Sequence, residues 1–148
     1  MHIDKASSAD IPALSELLSV LFAQEEEFTP DLEAQAQGLA HIIDKPEVGA
    51  VLVAREGGQI LGMVSLLFTV STALGGRVAW LEDMVVSAQA RGAGLGSELL
   101  AQAISLARAQ GCKRITLLTD RANEAAQRFY RQQGFAASSM VPMRLALE

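Results

Sequence analysis

The amino-acid sequence predicts an α/β domain (α+β in some schemes), a mixed, mainly antiparallel sheet of six or seven strands flanked by about four helices. Three observations predict it. The apolar runs GAVLVARE and QILGMVSLLF are joined by Gly57-Gly58, a pair suited to a tight hairpin turn. Residues 78–119 run strand, glycine-rich turn, helix, strand, the pattern of a right-handed crossover to a parallel neighbour. Apolar residues recur at helical spacing in the first forty-odd positions.

Taken in order, residues 2–6 are expected as a short strand. Asp10 is a good N-cap before Pro12, and Ile11, Leu14, Leu18, Leu21 and Phe22 mark the buried side of the first helix. The polar run 24–27 interrupts it. Thr29-Pro30 suggests a second hydroxyl-capped start, with Leu32, Ala36, Leu39 and Ile43 facing inward until Pro46. The hairpin follows, then the polar STALGG loop and a strand over 78–86. Leu95, Leu99, Ala103, Leu106 and Ala107 define a helix that Gly111 ends, and the KRITLLT run, 113–119, is the next strand. A last helix is expected over 123–133, followed by short strands at 135–137 and 143–147.

Composition narrows the function. Half of the 148 residues are apolar, 20% are charged and the formal net charge is -5. That balance suits one folded domain over 1–148 and disfavours a nucleic-acid partner, which would need a basic surface. Cys112 is the only cysteine, so no internal disulfide forms, no metal is expected, and a reducing, cytoplasmic setting is the default. No secretory pattern opens the chain, and stretches such as GMVSLLF are too short to span a bilayer, so no membrane partner is expected.

The segment VVSAQARGAGLGSELL sets Arg91, Gly92, Gly94 and Gly96 between an apolar strand and an amphipathic helix. Glycines there allow amide hydrogens to converge at the positive end of the helix dipole, which suits an anion. A turn that merely needs small residues is the competing reading. The loop lacks the Gly-Lys-Ser/Thr of a nucleotide hydrolase and the Gly-x-Gly-x-x-Gly spacing of a dinucleotide site.

Gln89-Ala90-Arg91-Gly92-Ala93-Gly94 satisfies the pyrophosphate signature of the GCN5-related N-acetyltransferase (GNAT) family, which this sequence resembles. Downstream, Asn123, Ala126, Phe129, Tyr130, Gly134 and Phe135 match that family's pattern from its fourth helix into the next strand. The resemblance is densest over 78–137. It implies a sheet splayed between its fourth and fifth strands, with the pantetheine arm of acetyl-CoA in the opening. It further implies cofactor contacts from Met84, Val85, Val86, Gln89, Arg91, Gly92, Ala93, Gly94, Leu95, Gly96, Ser97, Asn123 and Tyr130, with the Met84 amide polarising the thioester carbonyl. Many relatives dimerise, so a homodimer sharing the strand at 143–147 is expected.

Acyl transfer to an amine needs an uncharged nitrogen, a stabilised oxyanion and often a proton for the departing thiolate. Simple alternation puts Trp80, Glu82, Met84 and Val86 on one strand face and Ala79, Leu81, Asp83 and Val85 on the other. Glu82, beside the expected thioester site and in the strand where the resembled family often uses an acid, is the preferred base, directly or through water, ahead of binding the amine without proton abstraction and of an incidental surface acid. Asp83 replaces it if a bulge shifts the alternation. Tyr130 is the candidate acid, by the same resemblance, against a packing role. Asn123 is expected to reach the cofactor or order the segment leading to Tyr130, with capping of the last helix as an alternative that need not exclude these, and Trp80 either walls the acceptor pocket or packs under the sheet. Glu25, Glu26 and Glu27 are either a solvated charge run or an attraction for a cationic amine. His41 is more simply a solvated histidine than a pocket residue, His2 is too near the terminus to argue from, and Cys112 lacks the neighbours of a nucleophile.

The expected activity is transfer of acetyl from acetyl-CoA to a primary amine on a small molecule, by direct attack in a ternary complex. Acetylation of a protein N-terminus or lysine is the alternative. A CoA-binding regulatory protein with weak catalysis is the second alternative.

Overall fold

The computed structural model describes residues 1–25 and 27–148. They fall into two compact units, Met1–Leu118 and Thr119–Glu148. The first unit holds β1 (His2–Lys5), α1 (Ile11–Gln24), α2 (Leu32–Ile43), β2 (Gly49–Glu56), β3 (Gln59–Ser71), β4 (Gly76–Val86), α3 (Leu95–Ala109) and β5 (Ile115–Leu117). The second holds α4 (Glu124–Gln132).

The strands form one sheet in the order β1-β2-β3-β4-β5. The first three pairings are antiparallel and β4–β5 is parallel, so the mixed, mainly antiparallel sheet is as the sequence predicts. Gly57 and Gly58 both take positive φ, 57° and 82°, as a two-residue hairpin turn between β2 and β3 requires. β4 pairs with β3 along its whole length, from Gly76–Ser71 to Val86–Gly62. Against β5 it pairs only at Ala79, Trp80 and Leu81. The two parallel strands therefore part beyond Leu81, which is the splay between the fourth and fifth strands.

The core on one face joins Leu14, Leu17 and Leu18 of α1 and Leu39 of α2 to Val51, Val53, Met63 and Val85 of the sheet. A buried glutamine links the two helices: Gln35 Nε2 donates to the Ser15 carbonyl at 2.8 Å and to Ser19 Oγ at 3.0 Å. α3 presses Leu95, Leu99, Leu100, Ala103 and Ala107 against the sheet. Such aliphatic burial contributes roughly 1.5–3 kcal/mol for each large side chain.

Several local expectations change. The second helix begins at Leu32 and is capped by Asp31, whose Oδ1 accepts the Ala34 N–H at 3.1 Å, so Thr29-Pro30 precedes the helix without capping it. A carboxylate two residues later satisfies the first-turn amide, and that bond sets the boundary. The KRITLLT strand is trimmed to three residues. Five strands form among the described residues, since neither 135–137 nor 143–147 adopts a strand. Alternation makes a segment compatible with a sheet, but a strand also needs a neighbour to take its ladder bonds, and Met143, Leu145 and Leu147 are instead 94%, 83% and 94% exposed. No helix among the described residues is long and apolar enough to cross a membrane.

Asp10 precedes α1, but its carboxylate serves the tertiary fold and makes no side-chain bond to that helix. Oδ1 and Oδ2 accept a two-pronged contact from Arg55 at 2.8 and 2.6 Å, while Arg55 Nε reaches Asp4 at 3.0 Å. The Arg55 hydrogen bond lowers the Asp10 pKa to about 2, against the opposing effect of burial. A depressed carboxyl pKa gives stability that is complete above about pH 4 and lost as the pH falls through about 2. Asp10→Asn should therefore cost about 1–3 kcal/mol at pH 7 and progressively less below pH 4. Urea unfolding of both proteins at pH 7 and pH 3 measures this, and an equal cost at the two values would contradict the assignment.

Candidate active site

The turn between β4 and α3 is built by two left-handed glycines, Gly92 at φ 86° and Gly94 at φ 78°. A Cβ at either would meet nothing within 4 Å, so backbone conformation rather than space calls for glycine. Gly94 is the residue before α3, and no side chain caps that helix. The positive end of the helix thus follows directly on the exposed stretch Arg91–Gly94. Leu95 is buried, while Gly96 and Ser97 are partly exposed in the first turn. Gln89 Oε1 accepts from Gln59 Nε2 at 3.1 Å, and Arg91 Nε donates to the Val86 carbonyl at 3.3 Å, which braces the turn against the end of β4.

Upstream of this turn lies the part of β4 that β5 does not cover. Met84 and Val86 are partly exposed there, whereas Val85 is buried in the core. The edge of β4 from Glu82 to Val86 leads continuously into the glycine turn.

A bulge reorganises the acidic pair. Ser65 pairs with Asp83 and Leu66 with Leu81, leaving Glu82 without a partner residue. Adjacent Ser65 and Leu66 point to opposite faces, so Asp83 and Leu81 do as well. This corrects the simple alternation that put those two residues together. Glu82 is exposed and Asp83 is partly buried. Burial raises the Asp83 pKa to about 7, with Glu82 and Glu25 adding to the rise. A carboxyl that titrates near neutrality can exchange a proton with an amine, which an ordinary exposed carboxylate does poorly. Trp80, on the same strand, is 40% exposed rather than packed under the sheet.

Ser65 carries no signal in the sequence beyond being the one polar residue in the run GMVSLLF. It is 1% exposed, and its Oγ accepts the Asp83 N–H at 3.1 Å.

Within the second unit, Asn123 is the N-cap of α4, its Oδ1 accepting the Ala126 N–H at 3.0 Å, so the capping role is the one observed. Tyr130 stacks edge-on with Phe129 at 5.2 Å and Phe135 at 5.7 Å, which fixes its ring within an aromatic trio. Glu25 ends α1 and Glu27 lies in the following turn, while Glu26 lies outside the described residues. His41 is exposed in the last turn of α2, and His2 sits 3.7 Å from Asp4 at the edge strand. Burial pushes the Cys112 thiol up, away from nucleophilic character. No group of three metal-binding side chains occurs among the described residues.

Comparison with known proteins agrees with this layout. The Acetyltransferase (GNAT) family profile matches residues 11–135. The chain belongs to the GNAT family of acetyltransferases. It is 32% identical over 138 residues to the uncharacterised N-acetyltransferase YhfO of Bacillus subtilis (strain 168), covering 91% of this chain and 89% of that one. It is also 32% identical over 136 residues to the glucosamine 6-phosphate N-acetyltransferase of Trypanosoma brucei brucei, covering 79% of this chain and 90% of the relative. Among solved structures, a putative acetyltransferase from Agrobacterium tumefaciens str. C58 superposes with a TM-score of 0.81 at 28% identity, over 98% of this chain and all of the other. GNAT membership supports acetyl transfer with acetyl-CoA as donor.

The Asp83 carboxyl also makes stability depend on pH. Its pKa is raised in the folded state, so between about pH 4 and 7 the native protein keeps a proton that the unfolded chain releases, and stability falls as pH rises. Asp83→Asn, which resembles the protonated form, should lose that dependence. Its stability relative to the unsubstituted protein should improve by about 1–3 kcal/mol between pH 4 and pH 8. Urea titrations at the two pH values check this, and a difference independent of pH would remove the buried-carboxyl assignment.

Proposed function

We propose that the protein transfers acetyl from acetyl-CoA to a primary amine on a small molecule, by direct attack within a ternary complex. The observation that carries this reading is the continuous track from the uncovered edge of β4 into the turn with Gly92 and Gly94. Strand-edge groups suit the amide-bearing pantetheine arm, and the uncapped start of α3 suits the pyrophosphate. The amine acceptor of the trypanosomal relative, glucosamine 6-phosphate, supports a small-molecule acceptor.

In the proposed reaction Asp83 takes the proton from the acceptor, directly or through water, as the nitrogen attacks the thioester carbon. The Met84 amide is assigned to the carbonyl oxygen as charge develops on it. When the C–S bond breaks, the electron pair leaves with sulfur, and Tyr130 is assigned to protonate the thiolate. Asp83 is favoured over Glu82 because it is the partly buried member of the pair and titrates near neutrality. Glu82 then acts by its charge, helping hold the Asp83 pKa up.

CoA release with acetyl-CoA against a panel of amino sugars, polyamines, amino acids and peptides, with mass spectrometry of the product, identifies the acceptor. With that amine, Asp83→Asn and Tyr130→Phe should each lower the single-turnover transfer rate by roughly 10²–10⁴-fold, and Glu82→Gln by much less. A Glu82→Gln loss larger than that of Asp83→Asn would reverse the base assignment.

The cofactor track has its own test. Alanine in a left-handed conformation costs roughly 1–2 kcal/mol. In Gly94→Ala the free turn should relax out of that conformation, so binding that restores it should weaken about tenfold in a calorimetric titration with acetyl-CoA. Undiminished affinity would detach the glycine turn from the cofactor.

A further inference from the structure

Ser65 is a serine where packing alone would be met by alanine. Its strand neighbours Met63, Val64 and Leu66 are buried and apolar, and it is buried as deeply as they are. A hydroxyl in such surroundings is unfavourable unless it is hydrogen-bonded. The bond it makes is to the main chain across the sheet, where Oγ accepts the Asp83 N–H.

The place of that bond matters. The register of β3 with β4 shifts between Ser65 and Leu66, at the one extra residue, Glu82. A bulge disrupts the ladder on its own strand and leaves a main-chain group to be satisfied by something other than the regular partner. Here the serine hydroxyl is that acceptor, so the bulge lies opposite the residue able to stabilise it.

The bulge in turn decides the direction of Asp83. Were the Leu66–Leu81 pairing to continue without it, Glu82 would stand opposite Ser65 and Asp83 opposite Val64. A one-residue slip sends a side chain to the other face of the sheet. With the bulge, Asp83 stands opposite Ser65. By alternation from the Met63–Val85 pair, both then share the face covered by α1.

We propose that Ser65 is a positioning residue for acetyl transfer: by accepting the Asp83 N–H, its buried hydroxyl pins the β4 bulge that turns the Asp83 carboxyl to the α1-covered face. The inference rests on the assignment of Asp83 as base. The charged groups acting on that carboxyl are Glu82 of its own strand and Glu25 at the end of α1, while Ser65 on the adjoining strand has no charge. Pinned there, the carboxyl is desolvated and lies within the field of both glutamates. Released, it regains water or changes face and loses the environment that tunes it for proton transfer.

The test compares Ser65→Ala, Ser65→Thr and the unsubstituted full chain, with the Asp83 carboxyl followed by NMR through a pH titration. Ser65→Ala should move the carboxyl midpoint down by about one unit and slow single-turnover transfer roughly tenfold, with acetyl-CoA affinity changed less than about twofold. Ser65→Thr keeps the hydroxyl and should restore both quantities to within about threefold and about 0.3 unit. A folded Ser65→Ala protein with the original midpoint and rate would overturn the proposal. Should Ser65→Ala not fold, Ser65→Cys is close in size and a weak acceptor, and an unchanged midpoint in it would overturn the proposal equally. If Asp83→Asn transfers acetyl at the original rate, the base assignment fails. The carboxyl midpoint in the Ser65 variants then still decides whether the hydroxyl positions Asp83.

Discussion

β4 is held unevenly, and the rest of the candidate site depends on this. On one side β3 binds it from end to end, and on the other β5 holds only Ala79, Trp80 and Leu81. The continuous pairing keeps β4 rigid where its second edge is open, so polar main-chain groups can face a ligand without the strand collapsing. A fully paired strand would have no free edge to offer, and a strand free on both sides would lack a fixed one. The glycine turn then adds a helix N-terminus at the end of that edge.

Two aspartates in the first unit show how little residue type decides about charge. Asp10 meets the Arg55 guanidinium and its pKa is drawn down to about 2. Asp83 is desolvated and has Glu82 and Glu25 acting on it, so its pKa rises to about 7. The first carboxylate ties β2 to the entry of α1, and its charge is stabilised by the fold. The second is destabilised as an anion, which gives up some stability near neutral pH and leaves a group able to accept a proton from an amine.

Much of the layout was legible in the residues. The helical spacing of Leu14, Leu18, Leu95, Leu99 and Ala103 reports buried faces because burial repeats with the helix period. Gly57-Gly58 and Gly92-Ala93-Gly94 report turns because positive φ strongly favours glycine, and that preference is local. Helix boundaries were less legible. Thr29-Pro30 carries the local signature of a capped start, yet the role falls to Asp31, whose neighbourhood includes Gln35 accepting its N–H at 2.7 Å. The segment at 135–137 is apolar throughout and that at 143–147 alternates, yet neither pattern supplies the neighbouring edge that makes a strand.

By itself the sequence determined the order of strands and helices from β1 to α4, the glycine turn before α3 and the two adjacent acids beside it, because each follows from short-range patterns of side chains and backbone torsion. Which acid is buried was decided only in the tertiary structure. Counting residues along β4 puts Leu81 and Asp83 on the same face, whereas pairing with β3 separates them by inserting Glu82. The acceptor for the Asp83 amide comes from Ser65, eighteen residues away, and part of the field on its carboxyl comes from Glu25 at the end of α1. Register is a relation between two strands, and desolvation is a property of everything packed around a group. Neither is written in the neighbours of a single residue.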